Sequence, residues 1–547
     1  MGKVSELINK YEDMTQEIRN GKTSLGIEFG STRIKAVLIN NQFETIATGS
    51  YDWENLLENG YWTYNILDII TGLQAAYRDL MLEVEKQYGV TIRTVGAIGI
   101  SAMMHGYMAF DKTGELLVPF RTWRNTTTST AAKKLTKIFQ YNIPERWSVA
   151  HLYQAILNKE KHLEKLDYMT TLAGHIHWLL TGEKIIGIGD ASGMFPIDES
   201  QKSYKESMIR KFNSLISDEK YSWSLKDILP QVKTAGEKAG RLTEIGAKII
   251  DQSRNLQPGI PFCPPEGDAG TGMIATNSIK KRSGNVSVGT SIFAMVVLEK
   301  ELSKVHEEID LVTTPNGSLV GMVHANNCSS DLNAWLKIFQ EFSTIIGKEL
   351  NTDELFEIML NKSLEADADG GGLLSYGYLS GENITGLEQG RPLFVRTPES
   401  NFNLANFMKT HLLTAFGALK IGMDILIKKE NVQLDSILAH GGLFKTPLVG
   451  QKVVAAALNV PVSVMSTASE GGAWGIAVLA KYLEKSKSVS LDNYLDKIVF
   501  EGTQGHELYP DNLDVQGFES FLERYKNGLA IEQSAVDNLI FKTTMEE

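Results

Sequence analysis

Two stretches of this sequence place glycine and hydroxyl residues where a chain reverses. Gly30-Ser31-Thr32-Arg33 lies between the apolar runs 25–29 and 34–39, and Gly289-Thr290-Ser291 lies between the runs 284–288 and 292–298. A turn of this composition presents backbone N–H groups and hydroxyls to one point, the chemistry that phosphate oxygens require. Gly-Ser and Gly-Thr turns are also ordinary hairpin chemistry. Here the two stand near half the chain apart with matched flanks, LGIEFGSTRIKAVLI against GNVSVGTSIFAMVVL. That internal repeat favours two phosphate clamps, one per half, able to hold the polyphosphate of ATP. Gly30, Ser31, Thr32, Gly289, Thr290 and Ser291 are the candidate contacts. Arg33 is another, or else an exposed strand residue.

A third glycine pair, Gly441-Gly442, follows an apolar strand and opens a helix, with Lys445 three residues on. Glycines there let a flat ligand approach the backbone closely. The stretch fits neither a Walker A loop nor a dinucleotide-binding fingerprint. Between the two halves lies Asp268, in Gly267-Asp268-Ala269-Gly270. A carboxylate flanked by small residues can accept a proton from a reacting group, or it can cap a helix N-terminus.

The elements that must position these residues alternate between strand and helix, which gives an α/β class. Helical periodicity runs over 66–88, an apolar strand over 95–100, a helix over 447–458, a strand over 461–465 and a helix from Glu470. The first nineteen residues read as an amphipathic helix with Val4, Leu7, Ile8, Tyr11 and Met14 on one face, packed on the body or on a partner. A chain of 547 residues is too long for one ordinary core, so two domains are expected. The formal charge of -12, from 54 basic and 66 acidic residues, argues against a nucleic-acid or anionic-membrane partner. Only two cysteines occur, Cys263 and Cys328, which is no disulfide framework and no zinc pattern. With no secretory signal and no apolar run of membrane-spanning length, the expected location is cytoplasmic.

These segments, in this order, resemble the FGGY carbohydrate kinases, and within them the pentulose kinases of the xylulokinase and ribulokinase type. GIEFGSTR (26–33) resembles the first phosphate motif and IGISAMMHG (98–106) the sugar-binding segment. The DASG stretch after Leu180, EGDAGTG (from Glu266), NVSVGTS (from Asn285), HGGLFKTPLVGQ (from His440) and SEGGAWGIAVLA complete the series. The resemblance covers about 24–483. It implies two actin-like (ribonuclease H-like) ATPase domains with a cleft between them: a helical extension over 1–22, a sugar-binding domain with the catalytic base over 23–282, and a nucleotide-binding domain over 283–547. It implies Asp268 as the base, Met104 and His105 in the sugar pocket, and Gly441, Gly442 and Lys445 beside the nucleotide. Asp190 and Ser192 could equally close a turn and are not counted among the catalysts.

The resemblance has three departures. The family's first strand carries Asp where this chain has Glu28, so Glu28 is the candidate carboxylate for Mg²⁺, held through water because Mg²⁺ keeps much of its hydration shell. The family's W-N-D-x-R segment stands here as Trp123-Arg124-Asn125-Thr126-Thr127, and its GER-x-P stretch as Gly381-Glu382-Asn383-Ile384-Thr385. The expected reaction is phosphorylation of a ketopentose by Mg·ATP, with xylulose first and L-ribulose second. The rival of another class is an actin-like ATPase without sugar transfer. A small-molecule sugar is the expected partner, and a homodimer is possible.

Overall fold

The computed structural model describes residues 2–464, 471–502 and 505–539, with side chains from Tyr11 onward. The chain forms two compact units. The first comprises Met1–Ile279, Asp310–Val320 and Glu470–Thr503; the second comprises Lys280–Ile309, Gly321–Ser469 and Gln504–Glu547.

The first unit is built on a five-stranded sheet. In spatial order its strands are Glu266–Gly267, Ala97–Ala102, Ser24–Phe29, Arg33–Ile39 and Thr45–Asp52. The strand Ser24–Phe29 is central: it runs parallel to Ala97–Ala102 and antiparallel to Arg33–Ile39. Its apolar residues are buried on both faces, as expected of a strand covered by helices on each side. The helix Ile66–Tyr88 covers one face of the sheet, over the strands Thr45–Asp52 and Arg33–Ile39. The Asn65 side chain accepts from the Leu67 N–H at 2.8 Å to start it, and Gly89 ends it in the left-handed conformation at φ 62°.

The other cover, the helix Gly471–Tyr482, comes from a segment far along the chain. Side-chain-free positions let it come close. A Cβ on Gly26 would lie 2.0 Å from the Ala473 carbonyl oxygen, and one on Gly99 would lie 2.7 Å from that of Ile476. Glu470, expected to open this helix, lies outside the described residues. The N-terminal helix Gly2–Arg19 packs on the core through Met14 and Ile18, whereas Tyr11 stays exposed and stacks on Tyr88. Val4, Leu7 and Ile8 lie outside the described side chains.

In the second unit, six strands of a mixed sheet follow the order Leu319–Ala325, Ile292–Val297, Ser283–Val288, Ser436–Gly441, Val462–Val464 and His506–Leu508. Ser283–Val288 and Ile292–Val297 repeat the central hairpin of the first unit, again with a parallel neighbour, Ser436–Gly441. The expected strand over 461–465 is found at Val462–Val464, and Met465 lies outside the described residues. The helix Leu404–Asp424 is almost wholly buried. Extended to Lys429, it is long and apolar enough to cross a membrane by composition, yet 89% of its most apolar window is buried inside the protein, as for the core helix of a globular unit.

Candidate active site

Sheet register brings carboxylates together at one end of the first unit. Ser101 is the parallel partner of both Glu28 and Glu266, so Glu266, Ser101 and Glu28 lie abreast across three adjacent strands. The chain leaves the last of these strands directly into the helix Asp268–Ala275, which makes Asp268 its first residue. The Asp268 Oδ1 accepts the Ala269 N–H at 2.9 Å and the Met104 N–H at 3.1 Å. The first is a local bond to the next residue, and the N-cap position itself is Gly267, which has no side chain to cap with. The second joins Asp268 to the segment that carries Met104 and His105. The residue is exposed, and desolvation by the protein around it raises its pKa.

A second carboxylate, Asp190, reaches the same place from the short helix Ile188–Ala191 and is fully buried. Its Oδ2 accepts the Thr171 hydroxyl at 2.5 Å, and its Oδ1 has no hydrogen-bond partner. That oxygen lies beside Gly267, where an added Cβ would come within 3.3 Å of it. Glu266 in turn holds this helix in place. It accepts the N–H groups of Asp190 at 3.0 Å and Gly189 at 3.3 Å, in a space that exists only because residues 187 and 189 are glycine. On sequence alone Asp190 could equally close a turn and is not counted among the catalysts, and Glu266 is passed over. The signals were present: carboxylates alternate in Glu266-Gly267-Asp268, and paired glycines flank Ile188.

Crowding without water sets the charge state of the group. Burial, with the nearby charge of Asp268 adding to it, pushes Glu28 up to about 7. Burial does the same to Asp190, and it pushes Glu266 up to about 8 with help from Asp190. Glu28 also accepts the Ala473 N–H at 3.1 Å at the start of the helix Gly471–Tyr482. Gly472 faces it with no side chain; a Cβ there would lie 2.4 Å from Oε1.

Met104 and His105 are buried beside this group. His105 has φ 73°, an uncommon backbone state for a residue with a Cβ, and its Nδ1 is 3.5 Å from the Gly193 carbonyl oxygen. A Cβ on Gly193 would come within 2.5 Å of that nitrogen and 2.9 Å of the Met104 methyl. The Asp190-Ala191-Ser192-Gly193 stretch therefore shapes the floor under Met104 and His105. Asn125 is engaged elsewhere. It exchanges two 2.8 Å hydrogen bonds with the main chain of Trp62, while the Arg124 guanidinium covers the Trp62 ring at 4.0 Å.

The two hairpin turns have a common hydrogen-bond logic. In the first, every carbonyl is taken: Gly30 by the Trp53 indole N–H at 2.7 Å, Ser31 by the Tyr64 hydroxyl at 2.6 Å, Thr32 by the Trp53 backbone N–H at 3.1 Å, and Arg33 by the Gly30 N–H at 3.0 Å. In the second unit, the Gly289 carbonyl accepts the Ser329 hydroxyl at 2.6 Å, Thr290 accepts the Cys328 N–H at 3.0 Å, and Ser291 accepts the Gly289 N–H at 2.9 Å. Among the described residues the N–H groups of Ser31, Thr32, Thr290 and Ser291 have no such partner. Each turn is thus a set of donors with its acceptors occupied, the polarity an anion needs. Gly441 closes on the second turn: it pairs with Val288, and at φ 118° a Cβ there would lie 1.9 Å from the Val288 oxygen. Gly442 faces open space and Lys445 is exposed. Arg33 is set apart, since its guanidinium is exposed and ion-paired with Asp52 at 2.6 Å.

Models of the FGGY family of carbohydrate kinases match this chain, the N-terminal domain over residues 23–274 and the C-terminal domain over residues 284–484. The chain is 23% identical over 530 residues to the xylulose kinase of Haemophilus influenzae, which spans 92% of this chain and 99% of that one. Its fold is similar to that of the ligand-bound xylulose kinase from Lactobacillus acidophilus, with a TM-score of 0.76 at 16% identity over 94% of this chain and 99% of the other. It is also similar to Plasmodium falciparum glycerol kinase with ADP, with a TM-score of 0.73 at 15% identity over 95% and 99%.

The raised carboxylates make a stability prediction. A carboxylate whose pKa is higher in the folded state stabilises fully below its unfolded value and loses that contribution as pH rises through the folded value. For Glu28, Asp190 and Glu266 the loss falls between about 3.8 and 8. Burial lowers His151 to about 3, and His175, His177 and His411 to about 4, so these destabilise as pH falls below 6.5. The melting temperature of the ligand-free protein should therefore fall as pH rises from about 6.5 to 8, with Glu382 and Glu532, raised by burial to about 7 and about 6, acting in the same direction. A scanning-fluorimetry series from pH 5 to 8 checks this; a melting temperature that climbs steadily to pH 8 contradicts it.

Proposed function

We propose that this chain, which belongs to the FGGY family of carbohydrate kinases, phosphorylates a ketopentose at the expense of ATP, with xylulose the first choice. The observation that carries the reading is Asp268: an exposed carboxylate with a raised pKa, tied to the Met104 N–H. The xylulose kinase relatives support the sugar class, and xylulose is preferred to L-ribulose on the Met104-His105-Gly106 segment.

In the proposed reaction a sugar hydroxyl attacks the γ-phosphorus of ATP while Asp268 accepts its proton. The new oxygen–phosphorus bond forms, the bond to the β-phosphate bridging oxygen breaks, and ADP leaves. Phosphoryl transfer asks little covalent chemistry of a protein, so positioning and charge are its main contributions. His105 hydrogen-bonds a sugar hydroxyl and Met104 packs on the carbon face. Ser31, Thr32, Thr290 and Ser291 donate to phosphate oxygens, and Gly441, Gly442 and Lys445 receive the nucleotide. Gly30 and Gly289 shape the turns. Arg33, occupied by Asp52, is the weakest of the phosphate candidates.

Mg²⁺ fits the residues present. Among the described residues no cluster of three or more ligating side chains forms a complete protein cage, and Mg²⁺ is usually held by one or two carboxylates, waters and substrate phosphates. Glu28, raised by burial and by the charge of Asp268, gains from a nearby cation. Glu28 would hold the ion, which would neutralise charge on the phosphates.

A panel of pentuloses in a coupled ADP assay tests the function. ADP release that depends on a ketopentose, with xylulose fastest, is expected; release at one rate with or without sugar favours an ATPase lacking sugar transfer. The Glu28 assignment has its own measure. Ligation needs the deprotonated carboxylate, so the free Mg²⁺ giving half-maximal rate should rise up to about tenfold per pH unit below 7. Glu28→Gln should cut turnover sharply, raise the Mg²⁺ requirement and flatten that pH dependence, and Glu28→Asp should keep more activity. An unchanged metal requirement in Glu28→Gln removes Glu28 from the metal site.

A further inference from the structure

The first hairpin turn is held by two aromatic residues from outside it. Trp53 follows the strand Thr45–Asp52, and Tyr64 follows the short strand Tyr61–Thr63. Their rings stack at 4.1 Å between centroids, Trp53 meets Phe29 edge-on at 6.1 Å, and Phe120 stacks on Tyr64 at 6.4 Å. Trp53, Tyr64, Phe29 and Phe120 are all buried. The rings therefore have little freedom, and their donors point at consecutive carbonyls, Trp53 Nε1 at Gly30 and Tyr64 Oη at Ser31. Ser31 and Thr32 themselves are exposed.

A four-residue turn exposed to water can rotate its peptide planes, and each rotation exchanges the side that shows an N–H for the side that shows a C=O. A carbonyl turned toward a phosphate repels it; an N–H attracts it. We infer that Trp53 and Tyr64 are positioning residues, an aromatic clamp that locks the Gly30 and Ser31 carbonyls away from the ligand side so that the Ser31 and Thr32 N–H groups face a phosphate of the nucleotide. The clamp rests on the reading of this turn as a phosphate site. The second turn does the same job with different donors, the Ser329 hydroxyl and the Cys328 N–H. The clamp on the first turn is thus a separate solution built from two rings.

Tyr64→Phe isolates the claim, because it keeps the stacked ring and removes only the hydroxyl. Losing one hydrogen bond of ordinary worth should raise the KM for ATP about 3- to 10-fold. The KM for the sugar, kcat at saturating ATP and the melting temperature should stay close to the parent. Trp53→Phe should act in the same direction. In parallel, the Thr32 amide signal of threonine-labelled parent protein, assigned by its loss in Thr32→Ser, should shift when a nonhydrolysable ATP analogue is added. If that signal shifts while Tyr64→Phe keeps its ATP KM within twofold, the clamp is overturned and the phosphate site stands. If Tyr64→Phe raises both KM values together and melts earlier, the hydroxyl has a general structural role and the clamp is likewise overturned. A Thr32 signal indifferent to nucleotide overturns the phosphate reading and the clamp with it.

Discussion

Everything at the candidate site depends on carboxylates crowded at one place, three of which, Glu28, Asp190 and Glu266, have too little water around them to ionise freely. Glu28, Asp190, Glu266 and Asp268 reach one end of the first sheet from two strands, a short helix and a helix N-terminus. Burial raises all four, and repulsion between neighbours raises Glu28, Asp190 and Glu266 further. Such an arrangement costs stability unless protons or a cation compensate it. Backbone N–H groups supply part of the compensation: those of Met104 and Ala269 for Asp268, Gly189 and Asp190 for Glu266, and Ala473 for Glu28. The glycines around the site follow from the same crowding, because residues 187, 189, 193, 267 and 472 stand where a Cβ would strike Glu266, His105, Met104 or Glu28.

The two hairpin turns show how one requirement is met twice within a chain. Among the described residues both leave two N–H groups without a partner and occupy the carbonyls; the turn's own glycine N–H donates in each, and the other donors differ. In the first unit they come from indole, phenol and backbone groups; in the second they come from the segment before the helix Ser330–Ile345. The shared element is the direction in which the turn's dipoles point.

Much of this was legible in the sequence. Alternating apolar runs around Gly30 and Gly289 located both hairpins to within a residue or so, and the helix over 66–88 falls where its periodicity puts it. The amphipathic face of the first helix was visible, but not that packing would use Met14 and Ile18 and leave Tyr11 outside. Local pattern could not show that residues 310–320 and the helix Gly471–Tyr482 pack with the first unit, because those contacts join distant segments. For the same reason Asp190 read as a turn residue: its role rests on Gly267 and Glu266, far along the chain. The Trp53–Tyr64 clamp was hidden because aromatic residues in such a stretch look like ordinary core. The departure at Trp123-Arg124-Asn125 showed in the sequence, but not that Asn125 and Arg124 would engage Trp62.

The central claim is that Asp268 takes the proton from the sugar, and its replacement by asparagine tests this most directly. Asp268→Asn keeps the shape, and its amide oxygen can still accept the Met104 and Ala269 N–H groups, so folding and ATP affinity should change little. General-base catalysis contributes typically about 10²–10⁴-fold, and a loss of that order in kcat on the best pentulose is expected. Steady-state kinetics, nucleotide titration and thermal melting on the same preparation separate the outcomes. Turnover within a few-fold of the parent would place the base elsewhere, and activity lost only in step with an earlier melt would make the role of Asp268 structural.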